Sequence, residues 1–276
     1  MIYTFENLKY LMKSRKLILI CDLDETLVST INMKSHDVHY DSETYGYFHF
    51  PYQGDFEYYC LKKRVNLRSF LSRMNEMFEL HLMSAGEKQY VRKCVDIIDP
   101  EHEYFGDRIV SREEIVNGNN KAQTKLNMFP LFNDMIISID DRVDVWANSE
   151  SVVQIKPFKH APILKEFMKK SSDYSEFEIR NHIKQHLIDT ENENDDQLLM
   201  LQNALENIHK EFFKSIDRVL SGDKSHIPDV RNIMKEKRNI GILNDRNVNK
   251  KDNFTSSKLK AVNLSTETLC KSIILA

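Results

Sequence analysis

The chain has little cysteine, little glycine or proline, and no long apolar run. Its 276 residues include four cysteines, seven glycines and six prolines. Cys21, Cys60, Cys94 and Cys270 stand far apart, with no C-x-x-C pair. That spacing suggests neither a zinc site nor a disulfide framework, and it suits a reducing, intracellular compartment. No cysteine has an arginine six positions later, so a thiol-nucleophile loop of that spacing is absent. The scarcity of glycine and proline excludes a collagen-like or loop-dominated chain. No apolar stretch approaches the roughly 18–20 residues that span a bilayer, and Met1 to Lys16 lacks the apolar core of a secretory signal. The net charge is −3, so no broad basic field favours nucleic acid.

What is present is enough apolar material for a sizeable core: 41% hydrophobic against 29% charged residues. The length allows one large domain, or one domain and an appendage. Leu17-Ile18-Leu19-Ile20-Cys21 is too short an apolar run for a typical helix. It suits a strand buried on both faces of a parallel sheet. Asp22 and Asp24 follow it, and Thr26 follows them. In an extended chain, positions i and i+2 point to one side. The two carboxylates therefore converge beyond the carboxyl end of a buried strand, where open α/β sheets place ligands. Carboxylates crowded in a dry crevice repel one another unless a divalent cation sits between them or one keeps its proton.

Further along, Tyr45–Phe50 and Phe56–Cys60 predict a hairpin around Pro51–Asp55. Leu67, Phe70, Leu71 and Met74 predict an amphipathic helix. Phe78–Met83 predicts a strand closed by Ser84-Ala85-Gly86, with His81 as a packing residue. Tyr90 to Ile98 predicts a helix that Pro100 stops. A short helix over 122–128 precedes a buried strand over 135–139 that ends in Asp140-Asp141. Val152–Ile155 is another strand. This alternation predicts an α/β fold with a parallel, doubly wound sheet flanked by helices. After about residue 170 the character changes. An acidic, Asn-rich stretch leads into one amphipathic helix, with Leu198, Leu201, Leu205, Ile208, Phe212, Ile216 and Val219 forming a packing stripe. His182 and His186 carry no metal signature. Residues 244–276 read as poorly structured.

Three strand ends thus present Asp22 and Asp24, Ser84, and Asp140 and Asp141, with Lys121 and Lys125 between the last two. Phosphoryl transfer needs these types together. A carboxylate nucleophile splits the reaction in two, a second carboxylate acts as acid and then base, and a hydroxyl and an ammonium position the transferring group. Magnesium takes hard oxygen ligands.

The DLDETL stretch resembles motif one of the haloacid-dehalogenase superfamily, in the form of its FCP/SCP protein phosphatases, with Glu25 where glycine is usual. The stretch 62–71 is similar to the family's LRPxLxxFL segment, with Val65 in place of proline. Asp99-Pro100 with 107–114 resembles LDP…RILSRDE. Ile139 to Trp146 with 154–158 resembles IDDREDVW…VKPY, the form found in FCP-type phosphatases of the RNA polymerase II C-terminal domain. The likeness covers roughly residues 14–165.

The resemblance implies a HAD-like (Rossmannoid) phosphatase domain over 1–168, with a small β-hairpin insertion. A helical appendage over 169–243 and the tail would follow. It implies Asp22 as nucleophile, Asp24 as general acid and base, Thr26 and Ser84 as motif hydroxyls, and magnesium held by Asp22, the Asp24 carbonyl and Asp141. Asp140, also in the metal-site group, would orient the motif-three lysine. Lys121 is preferred for that lysine, with Lys125 its rival. Arg64 and Lys88 would contact substrate. The expected substrate is the phosphorylated polymerase tail, with general transcription factors as further partners, no direct nucleic-acid or membrane contact, and a nuclear setting. Only 46 residues follow Val230, too few for the complete BRCT module of FCP-type enzymes. With no large helical cap visible, the open crevice suits a peptide, and Tyr45, Tyr47, Phe48, Tyr52 and Tyr58 are candidates for its walls. Two other readings stay open: a non-catalytic binding module of the same fold, and a small-molecule phosphatase of the superfamily.

Overall fold

The computed structural model describes residues 2–34, 43–147, 149–187, 194–223 and 228–239. The expected tail over 244–276 and Cys270 lie outside them. The main sheet has five parallel strands in the order β6-β5-β1-β7-β8, namely β1 Leu17–Cys21, β5 Phe78–Met83, β6 Ile109–Val110, β7 Ile136–Asp140 and β8 Val152–Gln154. The central strand β1 is buried at every position. Burial of Leu17, Ile18, Leu19 and Ile20 contributes on the order of 10 kcal/mol before conformational entropy is subtracted. With both faces covered there is no room for polar alternation, which is why the run is continuous.

Helices α1 (Phe5–Lys13), α2 (Leu67–Met77), α3 (Lys88–Ile98) and α4 (Lys121–Met128) agree with the spacing of apolar residues in the sequence. Asp99 closes α3: its carboxylate accepts from the backbone N–H groups of Glu103, Tyr104 and Phe105, fixing the chain that leads back to β6. His81 packs against Phe129 and Tyr3 inside the core, as expected of a packing histidine.

The insertion is larger than a hairpin. β2 (Val28–Lys34) pairs antiparallel with β4 (Asp55–Lys63), which pairs with β3 (Tyr45–Tyr52), in the order β2-β4-β3. The sequence hid β2 because Ser29, Thr30 and Asn32 dilute its apolar positions. One face of this small sheet carries Ile31, Met33 and Cys60, which pack against helices α5 (Pro162–Lys169) and α6 (Glu176–His186) through Leu164, Met168, Ile179 and Ile183. The opposite face turns toward the end of the main sheet. α7 (Gln197–Leu220) buries the predicted stripe Leu198, Leu201, Leu205, Ile208, Phe212 and Ile216 in the main core, beside α8 (Val230–Asn239). Among the described residues no helix is long and apolar enough to cross a membrane.

Candidate active site

Three strand ends and one helix start meet in an open crevice of about 770 Å³. Asp22 follows β1, Ser84 follows β5, Asp140 ends β7, and Lys121 opens α4. Parallel strands ending at one level bring together residues that lie up to 119 positions apart in sequence, here Asp22 and Asp141. The backbone fixes the loop after β1: the Asp22 N–H donates to the Ile139 carbonyl at 2.9 Å, and the Glu25 N–H to the Val28 carbonyl at 2.7 Å. Glu25, at the usual glycine position, takes φ of 60°. That left-handed backbone is what the glycine would supply without strain. Here Glu25 is also held by Lys165 at 3.2 Å, and its carbonyl accepts from the Phe158 N–H at 2.7 Å.

Of Lys121 and Lys125, Lys121 is the one that reaches the acidic strand ends. Its Nζ donates to Asp22 Oδ1 at 2.5 Å and to Asp140 Oδ2 at 2.6 Å, with all three side chains buried. Burial works to lower the Lys121 pKa, but the two carboxylates outweigh it and the net direction is up. Lys125 lies one turn further and faces away from the crevice. It donates to Ser151 Oγ at 2.9 Å and reaches Ser149 Oγ at 3.4 Å. Burial, with Arg231 adding to it, pushes Lys125 down to about 8. Asp140 is fixed on two further sides: Trp146 Nε1 donates to Oδ2 at 2.8 Å, and the Arg142 N–H to Oδ1 at 2.8 Å.

Asp22, Asp140 and Asp141 each offer an oxygen within 4.8 Å of the others. Burial is the first cause that raises Asp141, to about 6, with Asp140 adding to it. Burial likewise pushes Asp22 up, and Lys121 opposes it. When all three carboxylates are ionised, the Lys121 ammonium leaves two negative charges uncompensated at the floor of the crevice. A hard divalent cation with oxygen ligands fits this donor set. The Asp24 carboxylate stands apart from the cluster. It accepts from the Tyr90 hydroxyl, and Thr30 Oγ1 lies 3.4 Å away. The metal contribution expected of Asp24 is therefore that of its backbone carbonyl. Burial raises the Asp24 pKa, against the lowering pull of Tyr90. Thr26 Oγ1 accepts from the Asp141 N–H at 3.1 Å, joining the β1 loop to the β7 loop. Ser84 lines the crevice, and its Oγ accepts from the Gly86 N–H at 3.0 Å.

Two expected substrate contacts lie elsewhere. Arg64 is buried and spends its donors inside the protein, on the Thr26 carbonyl at 3.0 Å, the Lys156 carbonyl at 2.8 Å and Asp195 at 3.0 Å. Lys88 is exposed outside the crevice and pairs with Glu114 at 3.2 Å. The aromatic wall also differs from expectation, because strand residues alternate between faces. Tyr45, Tyr47 and Tyr58 turn to the α5–α6 side. Tyr52 lines the crevice together with Phe50, Tyr59 and Tyr90. Phe48 backs that wall, stacked on Tyr59 with ring centroids 5.1 Å apart. Tyr90 and Trp146 are site residues that the sequence did not single out. Trp146, the chain's one tryptophan, closes the stretch that begins at Ile139 and was legible there in principle.

The chain is similar to several known proteins. Residues 17–185 match the family described as NLI interacting factor-like phosphatase. A relative from Caenorhabditis elegans, named as a phosphatase of the RNA polymerase II C-terminal domain, is 30% identical over 228 residues, covering 83% of this chain and 33% of its own length. One of the same name from Encephalitozoon cuniculi is 35% identical over 153 residues, covering 55% of this chain and 34% of its own length. The chain spans about a third of the length of these curated relatives. The solved structure of fission yeast RNA polymerase II CTD phosphatase Fcp1 bound to beryllium fluoride superimposes with a TM-score of 0.67 at 23% identity, covering 84% of this chain and 73% of that one. At that identity the likeness establishes the HAD-like fold alone. A parallel sheet, its acidic strand ends and a family match over more than half the chain lead to one assignment: this chain belongs to the NLI interacting factor-like phosphatases.

Proposed function

We propose that the chain is a magnesium-dependent protein serine/threonine phosphatase. Its substrate in this reading is the phosphorylated heptad repeats of the RNA polymerase II C-terminal domain, so its setting is the nucleus. The observation that carries the reading is the Lys121 bridge between Asp22 and Asp140, with Asp141 completing the acidic cluster. A binding module has no need of a buried lysine pinned between carboxylates at the mouth of a crevice. The names of the chain's relatives support that substrate class. The open crevice supports a peptide over an enclosed metabolite.

In this reading Asp22 attacks phosphorus while the bond to the serine or threonine oxygen breaks, giving a phosphoaspartyl enzyme. Asp24 gives its proton to the departing oxygen, then takes one from the water that attacks the phosphoaspartate. Ser84 and Lys121 hold the non-bridging oxygens and Lys121 offsets their charge. Asp22, Asp141 and the Asp24 carbonyl would hold magnesium, which when bound would screen the phosphate charge from the attacking carboxylate. Asp140 fixes Lys121, and Trp146 fixes Asp140.

The test is a panel of singly phosphorylated heptad peptides and an aryl phosphate, assayed with magnesium and with chelator. Hydrolysis that chelator abolishes and magnesium restores is expected. Activity indifferent to chelation would sink the carboxylate mechanism. Activity on aryl phosphate with none on any heptad peptide would leave the mechanism standing and remove the substrate.

A further inference from the structure

Three ion pairs among the described residues tie α7 and its lead-in to the core. Asp217 pairs with Arg15 at 2.8 Å, and Glu206 with Arg73 at 2.8 Å. Both pairs are substantially exposed, where such contacts contribute little. The third is different. Asp195 pairs with Arg64 at 3.0 Å, with side-chain exposures of 9% and 0%. A buried charge left without its partner is strongly unfavourable, so Arg64 depends on Asp195.

Arg64 leads directly to the crevice. Its NH1 donates to the Thr26 carbonyl at 3.0 Å, and its backbone N–H to the Leu27 carbonyl at 3.0 Å. Its NH2 donates to the Lys156 carbonyl at 2.8 Å, just beyond β8. The guanidinium lies over the Phe158 ring at 5.3 Å, and the Phe158 N–H donates to the Glu25 carbonyl. The Thr26 hydroxyl in turn accepts from the Asp141 N–H. Asp195 itself is fixed by the Gln197 N–H at the start of α7. A continuous set of contacts therefore runs from the C-terminal helices to the acidic cluster.

We propose that Asp195 is a positioning residue: through Arg64 it holds the Thr26 loop, and with it Asp141, in register with Asp22. The helices after residue 187 are then part of the machinery and not only a packing cover. A chain cut near residue 170 would keep the acidic cluster but lose the carboxylate that pairs with Arg64. The kinetic side of this inference rests on the phosphatase reading; the ion-binding side needs only the acidic cluster.

The experiment uses the full chain and its Asp195→Asn, Asp195→Glu and Glu206→Gln variants. It measures kcat and KM for p-nitrophenyl phosphate at saturating magnesium, the calorimetric Kd for Mg²⁺ without substrate, and Tm. Replacing a residue that orients metal ligands costs about 10–100-fold in affinity or activity. Asp195→Asn is expected to lower kcat by about 10-fold with KM little changed, and to weaken Mg²⁺ by a similar factor. Asp195→Glu restores much of both, and Glu206→Gln moves neither. A folded Asp195→Asn with wild-type kcat and Kd overturns the proposal, as does an equal loss in Glu206→Gln. Should Asp195→Asn not fold, Arg64→Lys decides. It keeps the charge facing Asp195 but cannot reach both Thr26 and Lys156, so unchanged kcat and Kd there also overturn the proposal. An inactive wild type that binds Mg²⁺ would refute the phosphatase reading while the Kd series still decides the role of Asp195.

Discussion

The Tyr90 hydroxyl donates to Oδ1 of Asp24, while Thr30 Oγ1 sits 2.7 Å from the same hydroxyl. Tyr90 can come this close because Gly86 lies beside its ring: a Cβ there would meet Tyr90 Cδ1 at 2.8 Å. The hydrogen bond points the Asp24 carboxylate away from the Asp22–Asp140–Asp141 cluster and toward the aromatic side of the crevice. The Asp24 carboxylate is thereby kept out of the acidic cluster, as the proposed acid–base role requires.

Tyr90→Phe keeps the ring against Phe48 and Tyr59 and removes the donor. A hydrogen bond to a charged group is worth about 1.5–3 kcal/mol, so kcat for a phosphoserine peptide should fall by roughly 10–100-fold. Aryl phosphate, whose leaving group needs less protonation, should lose less. Equal losses on both substrates, read from steady-state kinetics, would detach Tyr90 from the acid–base step.

Asp22→Asn and Asp24→Asn should fail differently. Without Asp22 no phosphoenzyme forms. Without Asp24 the nucleophile remains, but general acid–base help worth typically ~10²–10⁴-fold is lost. With an aryl phosphate the second step should then stall and labelled enzyme accumulate. Acid-quench trapping checks both. Label on Asp22→Asn equal to wild type would place the nucleophile elsewhere.

The two lysines should separate cleanly. Lys121→Met removes the ammonium between Asp22 and Asp140 and should cost about 10²–10³-fold in kcat, as for loss of one transition-state donor. Lys125→Met should keep most activity, because Lys125 touches Ser149 and Ser151 and not the crevice. It should instead change how stability depends on pH. The folded Lys125 pKa of about 8 lies below its ordinary 10.5. Between those values the unfolded chain binds more protons, so stability rises with pH through that window. From pH 8 to 9.5 wild type should gain roughly 1.5 kcal/mol relative to Lys125→Met, since the slope starts at about half of 1.4 kcal/mol per pH unit where the folded lysine is half-protonated. Urea unfolding of both proteins at the two pH values measures it, and parallel behaviour would show that Lys125 carries no such shift.

Glu25 carries backbone strain at the position where glycine is usual in the superfamily. Glu25→Gly should leave stability within about 1 kcal/mol, since relief of the left-handed strain offsets the greater freedom of glycine in the unfolded chain. Glu25→Val should lose roughly 1–3 kcal/mol, because a branched side chain tolerates φ of 60° poorly. Denaturant midpoints that coincide for the two variants would rule out a conformational role for this position.

The sequence by itself determined the central strand, the alternation of strands and helices around it apart from β2, and the placing of Asp22, Asp24, Ser84, Asp140 and Asp141 at strand ends. Those features are local: an unbroken apolar run means two covered faces, and an acidic pair at its end means a crevice wall. The period of two put Tyr45 and Phe48 on opposite faces of one predicted strand, but which face meets the crevice and which meets α5 and α6 was decided only by how the small sheet docks. Only the tertiary structure shows that Lys121, and not Lys125, meets Asp22 and Asp140. One turn of α4 separates them, and which one meets Asp22 depends on how that helix docks against the sheet. Only the tertiary structure moved Arg64 from the substrate to the interior, because its partners Thr26, Lys156 and Asp195 come from three distant parts of the chain. Charge and spacing announce that a guanidinium is available; what it binds is settled by which carbonyls and carboxylates the packed core leaves within its reach.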